Sequence, residues 1–163
     1  MELDWKKQVN FLDDKASKKA EKYSSPLLME FFEGITSLGS PILVVLIIAV
    51  LQNTGETGAA IKLFAGLLIT GVTVRGLKKL NNRKRPENHL DNVYSEKSFP
   101  SGHSTTAFMT ATVLNSFYSK PLIFLSLSAT VASSRVYLED HYLSDVLAGG
   151  LIGTFIGAIV ASL

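Results

Sequence analysis

The chain has 163 residues, room for one domain or one compact helical bundle. Sixteen Lys and Arg against fourteen Asp and Glu leave a net charge of only +2, so no basic field points to nucleic acid as a partner. There is no cysteine, which excludes disulfide staples, thiolate metal sites and cysteine nucleophiles together.

The first 25 residues form a segment of their own. Trp5, Val9, Leu12, Ala16, Ala20 and Tyr23 recur at spacings of three and four, the signature of a helical stripe, and Lys6, Lys7, Asp13, Asp14, Lys15, Lys18, Lys19, Glu21 and Lys22 fill the remaining faces. Two placements fit such a helix: along a membrane surface with its lysines at the head-groups, or on the rim of a bundle. No charged, apolar and small-residue sequence of the cleaved-leader kind precedes it, so a signal peptide is not expected. Ser24-Ser25-Pro26 ends it, because proline opens a new helix rather than continuing an old one.

Beyond residue 26 the charges and the apolar residues part company. Residues 34–55, 63–74, 98–119, 121–134 and 146–163 carry no Asp, Glu, Lys or Arg. A spanning helix needs about 20 mostly apolar residues. The runs predict an all-α, polytopic membrane bundle with five transmembrane helices, at about 30–52, 57–79, 102–119, 121–138 and 142–163, Lys62 and Lys120 snorkelling to an interface. So many apolar runs leave too little polar surface to clothe a soluble globule. Gly149, Gly153, Gly157 and Ala161 form a small-residue ridge that admits a close neighbour, either within the subunit or from a second copy, so the oligomeric state stays open.

The connections at 52–57, 119–121 and 139–140 are short, which makes neighbouring helices antiparallel. The long polar connection, 80–100, carries most of the remaining charge, and His89 within it reads as solvated. Antiparallel threading puts four helix ends on one membrane face, and those ends carry Lys78, Arg85, Ser101, His103, Arg135, His141 and Asp145. Ionisable groups at membrane depth are costly and point to function.

Their chemistry suits phosphate. Pro100-Ser101-Gly102-His103 opens a helix, where unpaired N–H groups and the helix dipole favour an anion. Lys78, Arg85 and Arg135 can supply charge-assisted hydrogen bonds. His141 and Asp145 stand four apart and share a helical face, so the carboxylate can hold one imidazole nitrogen while the other attacks, and His103 remains to protonate a leaving oxygen.

Taken in order, Lys78-x6-Arg85-Pro86, Pro100-Ser101-Gly102-His103 and Ser134-Arg135-x5-His141-x3-Asp145 resemble the three-part signature of the type 2 phosphatidic acid phosphatase superfamily. The resemblance implies His141 as the nucleophile that becomes a phosphohistidine, Asp145 as its orienting carboxylate and His103 as the general acid. It implies Lys78, Arg85, Ser101, Gly102 and Arg135 as the phosphate-binding set, with no metal and no other cofactor. It makes 26–163 a transmembrane lipid phosphatase domain following the amphipathic helix of 1–25. The substrate expected is a phospholipid or isoprenoid phosphate: phosphatidic acid, phosphatidylglycerol phosphate or an isoprenoid diphosphate. A lipid phosphotransferase and a non-enzymatic lipid-binding protein on the same fold are the alternatives. Only thirteen residues separate Pro86 from Pro100, too few for a large lid, so an open head-group site is expected. Relatives with six spans and an outward-facing site set one expectation for sidedness. The Lys and Arg distribution, which leaves only Lys62 and Lys120 on the other face, favours a cytoplasmic catalytic face in the cell membrane.

Overall fold

The computed structural model describes residues 4–86 and 96–163, and all its regular elements are helical: α1 Asp4–Lys22, α2 Pro26–Thr36, α3 Pro41–Asn53, α4 Thr57–Leu80, α5 Gly102–Tyr118, α6 Pro121–Tyr137 and α7 Leu143–Ser162. His89 and most of the 86–100 connection, with the expectation of an open site there, lie outside the described residues.

The helix starts follow from local chemistry. Ser25 caps α2 by accepting the Leu28 N–H at 3.3 Å, with Pro26 at the first helical position. The same device recurs at Ser40-Pro41, where the Ser40 hydroxyl accepts from Leu43 N at 3.2 Å. This second cap divides the first expected span. The α2 helix and the short 3₁₀ turn Ser37–Gly39 meet α3 at 55°.

Among the described residues two helices are long and apolar enough to cross a membrane alone, Thr57–Leu80 and Leu143–Ser162, and the bent pair would make a third. Helices α5 and α6 have 17 residues each. At 1.5 Å per residue that is about 26 Å against a hydrocarbon core of about 30 Å. A count of five therefore requires both short helices to cross as well.

Helix α5 is the axis of the bundle, packed by α4, α6 and α7. The core is Leu51, Ala59, Ala60, Leu63, Met109, Val113, Ile156 and Val160. The glycine ridge of α7 is used inside the subunit: a Cβ on Gly149 would stand 2.7 Å from the Ser101 carbonyl oxygen, and one on Gly157 would stand 2.9 Å from that of Met109. Close α5–α7 backbone approach is thus built into the sequence. The outward faces are apolar, with Ile42, Val50, Ile61, Val72, Leu122, Leu151 and Phe155 all exposed, as a lipid environment demands. Lys62 does not simply snorkel; its ammonium donates to the Ala161 carbonyl at 2.7 Å, a cation against the end of α7.

Helix α1 lies on α6 and α7. Its buried edge runs Val9, Asp13, Ala16, Ser17 and Ala20, while Trp5, Leu12 and Tyr23 stay exposed. The helix thus packs on the rim of the bundle, on a face rotated from the one the apolar residues define. The rotation buries a carboxylate, Asp13, only 2% exposed.

Candidate active site

The seven residues that the antiparallel threading assigns to one face converge there. His141 follows α6 in the short connection to α7. Its backbone N–H and that of Asp140 both donate to the Arg135 carbonyl, each at 3.1 Å, which wraps the connection around the end of α6. His141 is 3% exposed. Its Nε2 lies 3.3 Å from Nη1 of Arg85. A guanidinium can only donate, so the lone pair is on Nε2 and the imidazole proton on Nδ1. Nδ1 faces Oδ2 of Asp145 at 3.8 Å, an electrostatic contact slightly too long for a hydrogen bond.

Asp145 is fully buried in the first turn of α7. Oδ2 accepts the Tyr142 N–H at 3.0 Å and Oδ1 accepts from Arg83 Nη1 at 2.8 Å. Its backbone carbonyl accepts from Ser101 N at 3.1 Å, tying the start of α7 to the start of α5. Ser101 caps α5 and its hydroxyl oxygen accepts from Ser104 N at 3.4 Å and Ser104 Oγ at 3.0 Å, leaving its own hydroxyl proton to donate elsewhere. The first N–H groups of a helix have no intrahelical partner, so Gly102 and His103 present donors at this face. His103 is half-buried, beside the 3₁₀ turn and within electrostatic reach of Arg135, His141 and Arg85. Gly39 of that turn has no space for a side chain: its Cβ would fall 2.7 Å from Val131 and 2.9 Å from the His103 carbonyl oxygen.

The cations are held by specific partners. Arg135 donates through Nη1 to the Thr36 hydroxyl at 2.6 Å and pairs through Nη2 with Asp140 at 2.7 Å. Arg85 donates to the Asp140 carbonyl at 2.6 Å. Lys78, at the end of α4, donates to the Lys97 carbonyl. Two buried nitrogens, Nε of Arg135 and Nδ1 of His141, have no hydrogen-bond partner among the described residues. A buried donor left in this way marks a place for an acceptor. Burial is the main cause that lowers the His141 pKa to about 4; the Arg85, Arg135 and Lys78 charges add to it and Asp145 opposes it.

Sequence reasoning did not single out Asp140, Thr36, Asp13, Ser144 or the role of Arg83. Arg83 reads in the sequence as one of several interfacial cations. In the structure its guanidinium spans Asp13, at 2.5 Å, and Asp145, with the Ser144 hydroxyl at 2.6 Å and the Tyr142 ring 4.1 Å away. Burial acts against the Arg83 charge, and the bond to Asp13 with the fields of both carboxylates more than reverses it.

A buried histidine flanked by a carboxylate and by cations at a helix start is chemistry suited to a phosphoryl group. A family model for the PAP2 superfamily matches residues 59–163, which include every residue of this cluster from Lys78 to Asp145. The chain belongs to the PAP2 superfamily. It is 32% identical over 176 residues to phosphatidylglycerophosphatase B of Bacillus subtilis, covering 93% of this chain and 83% of that one. The crystal structure of Aquifex aeolicus LpxE superposes with a TM-score of 0.81 at 27% identity, over 93% of this chain and 96% of that one. That of a transmembrane PAP2-type phosphatidylglycerolphosphate phosphatase from Bacillus subtilis gives 0.76 at 28% identity, over 95% and 85%. The chain is an integral membrane phosphatase, a hydrolase of lipid phosphoester bonds that works through a phosphohistidine.

Proposed function

We propose that His141 carries the phosphohistidine, and that the substrate is a glycerophospholipid phosphomonoester of the phosphatidylglycerol phosphate kind. The observation that carries the site assignment is the posture of His141, with Nε2 turned to Arg85 and Nδ1 turned to Asp145. In the first step the Nε2 lone pair forms the N–P bond while the bond from phosphorus to the lipid oxygen breaks, and His103 gives that oxygen a proton. In the second, water attacks phosphorus, the N–P bond breaks, and the water's proton returns to His103. Lys78, Arg85, Arg135, the Ser101 hydroxyl and the Gly102 N–H bind the phosphoryl oxygens. The orphaned Nε of Arg135 supports that cradle. The carboxylates beside it are already engaged by arginines, and the charge neutralisation is supplied by side-chain cations and a helix start rather than by a metal.

The substrate class rests on the similarity to the phosphatidylglycerophosphatase along most of both chains. The test is a panel of phosphatidylglycerophosphate, phosphatidic acid and an isoprenoid diphosphate in detergent, read as phosphate release. His141→Ala should abolish release from all three. With a ³²P-labelled substrate, an acid-labile, base-stable phosphoenzyme should be trapped on the wild type and be absent from the variant. Near-normal turnover by His141→Ala refutes the site, and preference for the isoprenoid diphosphate refutes the substrate class.

We also place the catalytic face in the cytoplasm, because all Lys and Arg except Lys62 and Lys120 lie at or beside it. With no native cysteine, Glu96→Cys on that face and Asn53→Cys on the other are clean reporters; both positions are exposed. A membrane-impermeant thiol reagent on intact cells should label Asn53→Cys and spare Glu96→Cys. The reverse pattern overturns the orientation.

A further inference from the structure

We infer that Asp13, on the amphipathic N-terminal helix, is a positioning residue for the reaction, acting through Arg83 on the Asp145–His141 pair. The inference rests on His141 being the nucleophile.

Asp13 touches none of the groups assigned to phosphate. Instead it is buried under α7 and makes three hydrogen bonds there. Oδ1 accepts the Ser144 N–H at 2.8 Å, and Oδ2 accepts the Ser144 hydroxyl at 2.7 Å and Nη2 of Arg83 at 2.5 Å. The first contact makes Asp13 an N-terminal cap for α7 supplied by another helix: an orphan first-turn N–H gains an acceptor, and a negative charge meets the positive end of the dipole. The second and third fix where the Arg83 guanidinium sits. One nitrogen of its fork goes to Asp13 and the other to Asp145 Oδ1, and the Tyr142 ring closes one face. A planar fork shared between two carboxylates has one geometry, whereas a cation shared with one carboxylate can pair with either oxygen.

That geometry matters for His141. With Arg83 on Oδ1, the Oδ2 oxygen of Asp145 remains directed to Tyr142 N and to Nδ1 of His141. Without Asp13 the Arg83 charge has, among the described residues, only Asp145 paired with it. The carboxylate is then drawn toward Arg83, and its field at the imidazole weakens just as positive charge develops on the ring during N–P bond formation. Removing the Asp13 charge by substitution therefore slows chemistry without altering the phosphate cradle. It also gives the N-terminal helix a task that its surface stripe does not reveal, since α1 completes the catalytic carboxylate's surroundings from some 130 residues away in sequence.

The test uses the full-length protein in detergent with phosphatidylglycerophosphate. Asp13→Asn should lower kcat by about ten- to a hundredfold, the range expected for losing one hydrogen bond to a charged group, with KM within threefold of wild type. Arg83→Gln should do the same. In the Arg83→Gln background, Asp13→Asn should change kcat less than twofold, because its effect on the Asp145–His141 pair runs through Arg83, while loss of its cap on α7 is read as melting temperature. Losses that multiply, a wild-type kcat for Asp13→Asn, or an effect confined to KM each overturn the inference. If Asp13→Asn does not fold, Arg83→Lys serves: a single ammonium cannot bridge both carboxylates as the fork does. It should show the same kcat loss at unchanged KM and melting temperature, and wild-type kcat in it is the refuting result. His141→Ala separates the two readings. If it abolishes the phosphoenzyme while Asp13→Asn turns over normally, the catalytic assignment stands and the positioning role falls.

Discussion

Asp145→Asn isolates the electrostatic part of the mechanism, because it changes a charge and almost no volume. In the structure Oδ2 is 3.8 Å from the His141 Nδ1 and the carboxylate is fully buried. Two unit charges at that separation interact by roughly 4 kcal/mol at an effective dielectric of about 20. Arg83, 2.8 Å from the other oxygen, cancels part of that field at the ring. The remainder is about 2–3 kcal/mol, or a factor of about a hundred in rate. The amide adds a second defect, since its NH₂ must face either the Arg83 or the Tyr142 donor, and one of the two loses its acceptor. A kcat reduced by about 10²-fold is expected, with KM within threefold and a phosphoenzyme that still forms, but slowly. Rapid-quench measurement of phosphoenzyme against steady-state phosphate release gives both quantities. A kcat within threefold of wild type would show that the carboxylate only shapes the α7 start, and the electrostatic argument would fail.

In the proposed mechanism His141 attacks as the neutral imidazole; burial, aided by the neighbouring cations, lowers its pKa to about 4, so the acid-side fall in kcat/KM due to His141 should lie near pH 4 rather than near 6.5. The same shift has a stability consequence. Between about 4 and the unfolded value near 6.5 the unfolded chain binds the extra proton, so stability rises with pH across that window, and His141→Asn should flatten the slope in thermal melts. Vanadate should inhibit competitively and EDTA should leave activity intact, because side-chain cations and the α5 start carry the charge neutralisation; activity lost to EDTA and restored by Mg²⁺ would contradict the cradle described. Gly153→Ala puts a Cβ 3.0 Å from Met109 N and from the Thr105 carbonyl carbon, backbone atoms that cannot yield. About 1–3 kcal/mol of destabilisation is expected, lowering Tm by roughly 3–10 °C, whereas Gly71→Ala meets nothing within 4 Å and should leave Tm unchanged or slightly higher.

Much of this architecture is legible in the sequence, and the parts that are not share a cause. Charge-free runs separate the helices because lipid and core impose the same apolar demand on every residue of a run. Ser25-Pro26 reads as a helix start, yet the identical Ser40-Pro41 signal is hidden inside an apolar stretch that hydropathy treats as one span. The catalytic face follows from antiparallel threading and the three motifs. Asp13 is different. Helical periodicity assigns it to the charged side, and only partners 70 and 131 residues away turn it inward. Asp140 reads as a connection residue, although it is buried and engages two arginines. Thr36 carries no signal at all, since a lone hydroxyl near a helix end is ordinary; it matters because the bend at Ser37–Gly39 brings it against Arg135. Pairings across the bundle depend on tertiary rotation, which no local pattern records.

The two acidic residues around His141 divide the cations between them, and that division explains how a cluster of like charges survives near a membrane without substrate. Arg85 and Arg135 both turn to Asp140, one to its carbonyl and one to its carboxylate. Arg85 is held at Nε2 of the ring, where the proposed mechanism brings the phosphoryl group. Arg83 is turned to Asp13 and Asp145, on the Nδ1 side, where it cannot reach a phosphate without breaking both bonds. The imidazole therefore stands between a cationic pole that attracts the dianion and an anionic pole that accommodates the positive ring formed by its attack. Swapping the partners would reverse the field across the ring and favour the tautomer with its proton on Nε2, which has no lone pair there to attack. Which carboxylate holds which arginine is thus as much a part of the catalyst as the nucleophile, and here one of those carboxylates comes from a helix that the family model, beginning at residue 59, does not include.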